Sequence, residues 1–105
     1  MAADVFVGLR LNPSRAEIRT SYWAGRHDES QGGRLLAELI QRSVPEVLGI
    51  LDAGTHGMSL TILRETRMPS VLLELGPASL VVERAGLLAI SLSTVLGKWA
   101  DASWD

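Results

Sequence analysis

A chain of 105 residues with 47% hydrophobic content is long enough to bury one small core and short for two domains. Ten Lys+Arg stand against twelve Asp+Glu, and no basic block exists to neutralise a run of phosphates, so there is no nucleic-acid footprint. Cysteine is absent, which excludes disulfides and thiolate metal sites and leaves the redox compartment open.

Met1-Ala2-Ala3-Asp4 has neither the basic residues nor the apolar stretch of a signal peptide, so any export signal is expected upstream. The apolar, β-forming run that follows predicts a strand over Val5 to Leu11, stopped by the turn chemistry of Asn12-Pro13-Ser14. Mixed β-branched, aromatic and polar residues predict a second, more exposed strand near Arg19 to Trp23, ending before Gly25. Asp28 or Ser30 can cap a helix over Ser30 to Val44, with Leu35, Leu36, Leu39, Ile40 and Val44 on one face. Arg34, Glu38, Gln41 and Arg42 take the other face, and Pro45 is expected to end or kink the helix. The broken pattern from Gly49 to Gly57 reads as a surface loop.

Two apolar runs, Leu60 to Leu63 and Val71 to Leu75, predict further strands, the second with the profile of a central one. Val81, Ala85, Leu88, Leu92, Val95, Leu96 and Trp99 recur at helical spacing and predict a final helix over Val82 to Trp99, with Glu83 favouring its start. The longest weakly charged stretch, Ala85 to Gly97, falls short of the ~20 apolar residues of a membrane span. No repeat or linker divides the chain, so residues 1–105 read as one unit. Its alternation of strands and helices implies an α/β fold with helices covering a mostly parallel or mixed sheet.

His27 and His56 lie far apart, outside any HExxH pair, and read as loop or surface histidines. No GxSxG, P-loop or GxGxxG is present. The unusual residue is Glu74, a carboxylate inside an apolar β-run just before Leu75-Gly76-Pro77. A charge there must be paired or face a cleft, and the residues alone weigh a functional role and a structural ion pair equally.

The stretch from Leu60-Thr61-Ile62-Leu63-Arg64-Glu65-Thr66 through Pro69 to Val71-Leu72-Leu73-Glu74-Leu75-Gly76 resembles the "VLRET…PAVLVELGF" segment of the zinc-dependent N-acetylmuramoyl-L-alanine amidases. Asp4-Val5-Phe6-Val7-Gly8-Leu9-Arg10-Leu11-Asn12 is similar to that family's "DLFVSIHAN" strand. The resemblance spans nearly the whole chain and implies the C-terminal part of a peptidoglycan amidase domain. In that family zinc is held by an early histidine, a helix glutamate and the histidine of the "SIHAN" strand; it polarises the amide between muramic acid and L-alanine and activates the attacking water. Glu74 matches the family's general base and acid.

The departures carry as much as the match. Arg10 stands in place of the strand histidine, and a guanidinium offers a metal donors but no lone pair. The first two ligands would lie N-terminal to Met1, and the family's "GFLSN" becomes Gly76-Pro77-Ala78-Ser79-Leu80. The resemblance therefore implies a degenerate amidase fold without bound metal, placed at the cell envelope and binding peptidoglycan fragments or a protein of envelope synthesis. Arg10, Asn12 and Arg64 would line its cleft, with Glu74 vestigial and expected to face Arg10. The alternative is an active zinc amidase cutting the muramoyl-L-alanine bond, with His27 or His56 moved into a ligand role. A third reading is a structural half-domain whose exposed sheet edge is completed by further strands or a partner chain, with self-association in its absence.

Overall fold

The computed structural model describes residues 5–26, 28–59 and 69–102. Strand β1 is Phe6–Leu11, β2 Glu17–Trp23, helix α1 Gln31–Leu48, β3 Leu51–Met58, β4 Ser70–Leu75, α2 Ala78–Glu83 and α3 Ala85–Asp101. The strands form one mixed sheet in the order β1-β4-β2-β3. β4 runs parallel to β1 and antiparallel to β2, and β2 runs parallel to β3. The strand predicted over Leu60 to Leu63 lies outside the described residues.

The continuous apolar run of β4 matches its place, because it is paired on both edges and buried at every residue but Glu74. Its pleat turns Val71, Leu73 and Leu75 to one side, in register with Tyr22, Thr20 and Ile18 of β2. These six residues are all buried, and α1 packs over them. Helix α3 packs in turn on α1, so both long helices lie on the same side of the sheet. Leu72 and Glu74 point the other way.

Two expectations for the sheet are corrected. β2 is not the more exposed strand: Ile18, Thr20, Ser21 and Tyr22 are buried, since β4 and β3 flank it. Its polar residues are reconciled with burial by side-chain bonds, Thr20 Oγ1 donating to Gln41 Oε1 at 2.7 Å and Ser21 Oγ to Met58 Sδ at 3.2 Å. The segment Gly49 to Gly57 is not a surface loop. From Leu51 onward it is β3, whose backbone groups are taken up by a parallel ladder with β2 that absorbs a register slip between Ile18 and Thr20.

Helix α1 begins where Ser30 Oγ accepts from the Gly33 amide at 3.0 Å. It passes through Pro45 rather than ending there and runs on to Leu48, because Val44, Pro45 and Leu48 are all buried against the core. Gly49 then stops it at φ 68°, a left-handed turn that lets the Gly49 and Ile50 amides return to Glu46 and Pro45 carbonyls. The Arg84 guanidinium donates to the Leu48 carbonyl and caps the same end from a distance. Arg84 also divides the predicted final helix into α2 and α3. Along α3, Leu88, Val95 and Trp99 are buried, and Trp99 Nε1 donates to the Gly32 carbonyl at 3.1 Å.

Gln41 was expected on the solvent face and is 8% exposed. Its amide donates to the Ile18 carbonyl at 3.0 Å and to Asp52 Oδ1 at 2.6 Å while its oxygen accepts from Thr20, so one side chain ties α1 to β2 and β3. Replacing Gln41 by Leu keeps the bulk and takes the side-chain partner from the buried Thr20 hydroxyl and Ile18 carbonyl. Urea denaturation is expected to show a loss of about 2–3 kcal/mol.

Among the described residues the sheet's edges are β1 and β3, and large apolar side chains sit exposed there: Leu9 at 54%, Leu11 at 44% and Leu51 at 66%. Leu9 and Leu11 share a face with the core residues of β4, but α1 does not reach over β1. An apolar edge of this kind promotes pairing between copies. Light scattering is expected to show mass rising with concentration, and Leu9→Lys is expected to reduce it.

Candidate functional site

On the side of the sheet away from α1, one row of side chains crosses three strands. Arg10 of β1 is the register partner of Glu74 of β4, and Glu74 is the partner of Arg19 of β2. The pleat puts all three on the same face, a carboxylate between two guanidiniums. Arg10 Nη1 lies 3.9 Å from Glu74 Oε2, with side chains 65% and 30% exposed. Arg19 differs from Arg10: its Nε is buried and has no hydrogen-bond partner.

The row opens into a cleft of about 230 Å³ lined by Asn12, Pro13, Ser14, Arg15, Glu17, Arg19 and Glu74. Backbone bonds hold the chain around it. Beyond β1, Asn12 donates to the Leu75 carbonyl at 2.9 Å and accepts from the Ala78 amide at 3.1 Å, and Gly76 donates to the Glu17 carbonyl at 3.1 Å. The Asn12 side-chain oxygen folds back to accept from the Ser14 and Arg15 amides at 3.2 and 2.7 Å, which sets the turn that forms one wall. Gly76 is required beneath it, since a β-carbon there would come within 2.5 Å of the Asn12 backbone oxygen. A separate charge cluster, Arg34 with Glu29 at 2.7 Å and Glu38 at 3.1 Å, is exposed and ties the start of α1 together.

Of the residues singled out from sequence, the fold brings Arg10, Asn12 and Glu74 to the same end of the sheet. Asn12 lines the cleft, but its carbonyl oxygen is committed to the turn. Arg64 and His27 lie outside the described residues. His56 is on β3, opposite Ser21 and hence two strands and two positions from Glu74, about 10 Å across the sheet. Its Nε2 is 3.2 Å from the Ala53 carbonyl oxygen. Sequence reasoning missed Arg19, Arg15 and Glu17. The period-two spacing of Glu17 and Arg19 puts them on one face, but only the antiparallel register with β4 puts that face beside Glu74.

The described residues do not fit a zinc ion. Among them no group of three or more His, Asp or Glu side chains that could hold a metal occurs, and the partner of Glu74 on β1 is Arg10. What the cleft offers instead is fixed charges of both signs on a rigid sheet, an arrangement that recognises a polar ligand through charge-assisted hydrogen bonds.

A family model described as N-acetylmuramoyl-L-alanine amidase matches residues 1–87. The chain belongs to that amidase family. It is 32% identical over 81 residues to the N-acetylmuramoyl-L-alanine amidase CwlM of Mycobacterium tuberculosis, a match covering 72% of this chain and 20% of CwlM. Among solved structures it is similar to an N-acetylmuramoyl-L-alanine amidase from Clostridium difficile 630, with a TM-score of 0.78 at 23% identity over 97% of this chain and 60% of that one. The catalytic domain of CwlV from Bacillus (Paenibacillus) polymyxa gives 0.73 at 22% identity, covering 94% and 59%. At such identities these likenesses carry the fold. The amidase-type chain thus spans about three fifths of the solved domains and a fifth of CwlM. Among its described residues no helix is long and apolar enough to cross a membrane.

The exposure of Arg10 limits what its pair with Glu74 adds to stability. An ion pair at 3.9 Å with one partner 65% exposed is screened by water. Arg10→Ala is expected to cost under about 1 kcal/mol by chemical denaturation, well below a buried pair's cost.

Proposed function

We propose that this amidase-type domain is non-catalytic and binds peptidoglycan fragments in the cleft beside Glu74. The observation that carries this reading is Arg10 standing 3.9 Å from Glu74, on a strand whose sequence resembles the one that holds a zinc ligand in the family. A guanidinium there puts a positive charge beside the carboxylate without offering an open coordination position to polarise an amide. The remaining cleft side chains, Arg15, Glu17 and Arg19, supply donors and acceptors suited to the amides and carboxylates of a peptide stem.

The competing reading, an active zinc amidase, is favoured by Glu74, which the sequence resemblance matches to the family's general base. Zinc content separates the two. Purified protein is expected to hold zinc well below one equivalent, to release no peptide from peptidoglycan, and to give a saturable calorimetric titration with a soluble muramoyl peptide. Arg10→His is expected to leave zinc content and hydrolysis unchanged. Stoichiometric zinc together with cleavage of the muramoyl-L-alanine bond would establish the enzyme instead, and silence towards every soluble muramoyl peptide would remove the binding reading.

A further inference from the structure

Arg19 is the guanidinium in the cleft with a buried N–H that nothing receives. Its Nε is buried and unbonded, while Arg10 has Glu74 within 3.9 Å. A buried N–H donor left unbonded is costly, and native proteins retain few of them without a water, ion or ligand to receive the bond. Arg19 is also the best-anchored cation of the cleft. It lies on a strand paired on both edges, whereas Arg10 is on an edge strand and 65% exposed. Side chains that discriminate between ligands act from such rigid positions.

The charges around it narrow the ligand. Arg15 and Arg19 are balanced by Glu17 and Glu74 in the same cleft, so its formal charge is zero. A phosphate, with close to two negative charges, would meet two carboxylates at short range. A carboxylate carries one charge and matches the planar fork of a guanidinium, and the two glutamates can accept the N–H groups that accompany it in a peptide. The volume, about 230 Å³, lies below the ~300–1,000 Å³ of sites that enclose a whole drug-sized ligand, and so suits a chain end.

We propose that Arg19 is the recognition group of a carboxylate subsite, which takes the terminal carboxylate of a short peptide, with Arg15 and the Ser14 hydroxyl as further donors and Glu17 and Glu74 receiving the peptide's N–H groups. The subsite rests on the reading of the cleft as a binder of cell-wall fragments and specifies which end of the peptide it grips. Arg10 is outside this role. It remains with Glu74.

The test follows the Arg19 Nε–H resonance by proton–nitrogen NMR in the intact chain, titrated with N-acetyl-alanyl-alanine, with its C-terminal amide, with inorganic phosphate and with a muramoyl peptide. The free acid is expected to move the resonance downfield to saturation, as a charge-assisted bond to a carboxylate would, and the amide to leave it in place. Arg19→Gln and Arg19→Lys are expected to weaken binding of the acid at least tenfold. Equal responses to acid and amide, or unchanged acid binding by Arg19→Gln, would overturn the subsite. Displacement of the peptide by phosphate at lower concentration would overturn the choice of carboxylate. If either variant fails to fold, the acid and amide pair on the unsubstituted protein still decides. A muramoyl peptide that binds without moving Arg19 leaves the cell-wall reading standing and removes the subsite. A peptide acid that moves Arg19 while no muramoyl peptide binds does the reverse.

Discussion

The structure depends on one strand that has to be apolar almost throughout. β4 is paired along both edges, to β1 and to β2, and its residues are buried except at Glu74. Backbone groups in that position must find partners in neighbouring strands, and side chains must find apolar contacts on both faces. Val71, Leu73 and Leu75 meet that demand against α1, which is why the helix stripe of Leu36, Ile40 and Val44 lies where it does. Position 74 faces away from the helices near the strand's end, and a charge is tolerated there because a cleft opens beside it.

The site's geometry therefore comes from the sheet more than from its ion pair. Arg10 and Glu74 meet through strand register, and the pair is too exposed to hold the strands together. The turn after β1 is fixed independently, by the Asn12 side chain and by the absence of a β-carbon at Gly76. A cleft built this way stays the same shape when its charged residues change. A fold framed on backbone contacts can therefore exchange side chains at one strand position without rearrangement.

How much of this was legible in the sequence varied with how each residue is satisfied. β1, β4 and α1 were readable because their apolar residues follow the period of the element they form. β2 misled because Thr20 and Ser21 look solvent-facing until Gln41 and Met58 supply partners from elsewhere in the chain. β3 misled more, since Gly54 and Gly57 have little strand propensity and the segment is held by the ladder with β2. Glu74 was conspicuous as a lone carboxylate in an apolar run, and Arg10 through the resemblance to the amidase strand. Arg19 carried no local sign, because its importance comes from antiparallel pairing with a strand far along the chain.

That strand order also sets when the cleft can exist. β4 is last of the described strands to be synthesised, yet it stands between the first two, and β1 pairs with nothing else among them. Contacts so distant in sequence form slowly, because a long loop must close before any of them is made. A nascent chain that ended before Ser70 would have β2, β3 and α1 available to associate but would leave β1 unpaired. Docking of β4 then delivers Glu74 between Arg10 and Arg19 in a single step. The cleft exists only with β4 in place, so a ligand that bridges it would favour chains in which that strand is docked.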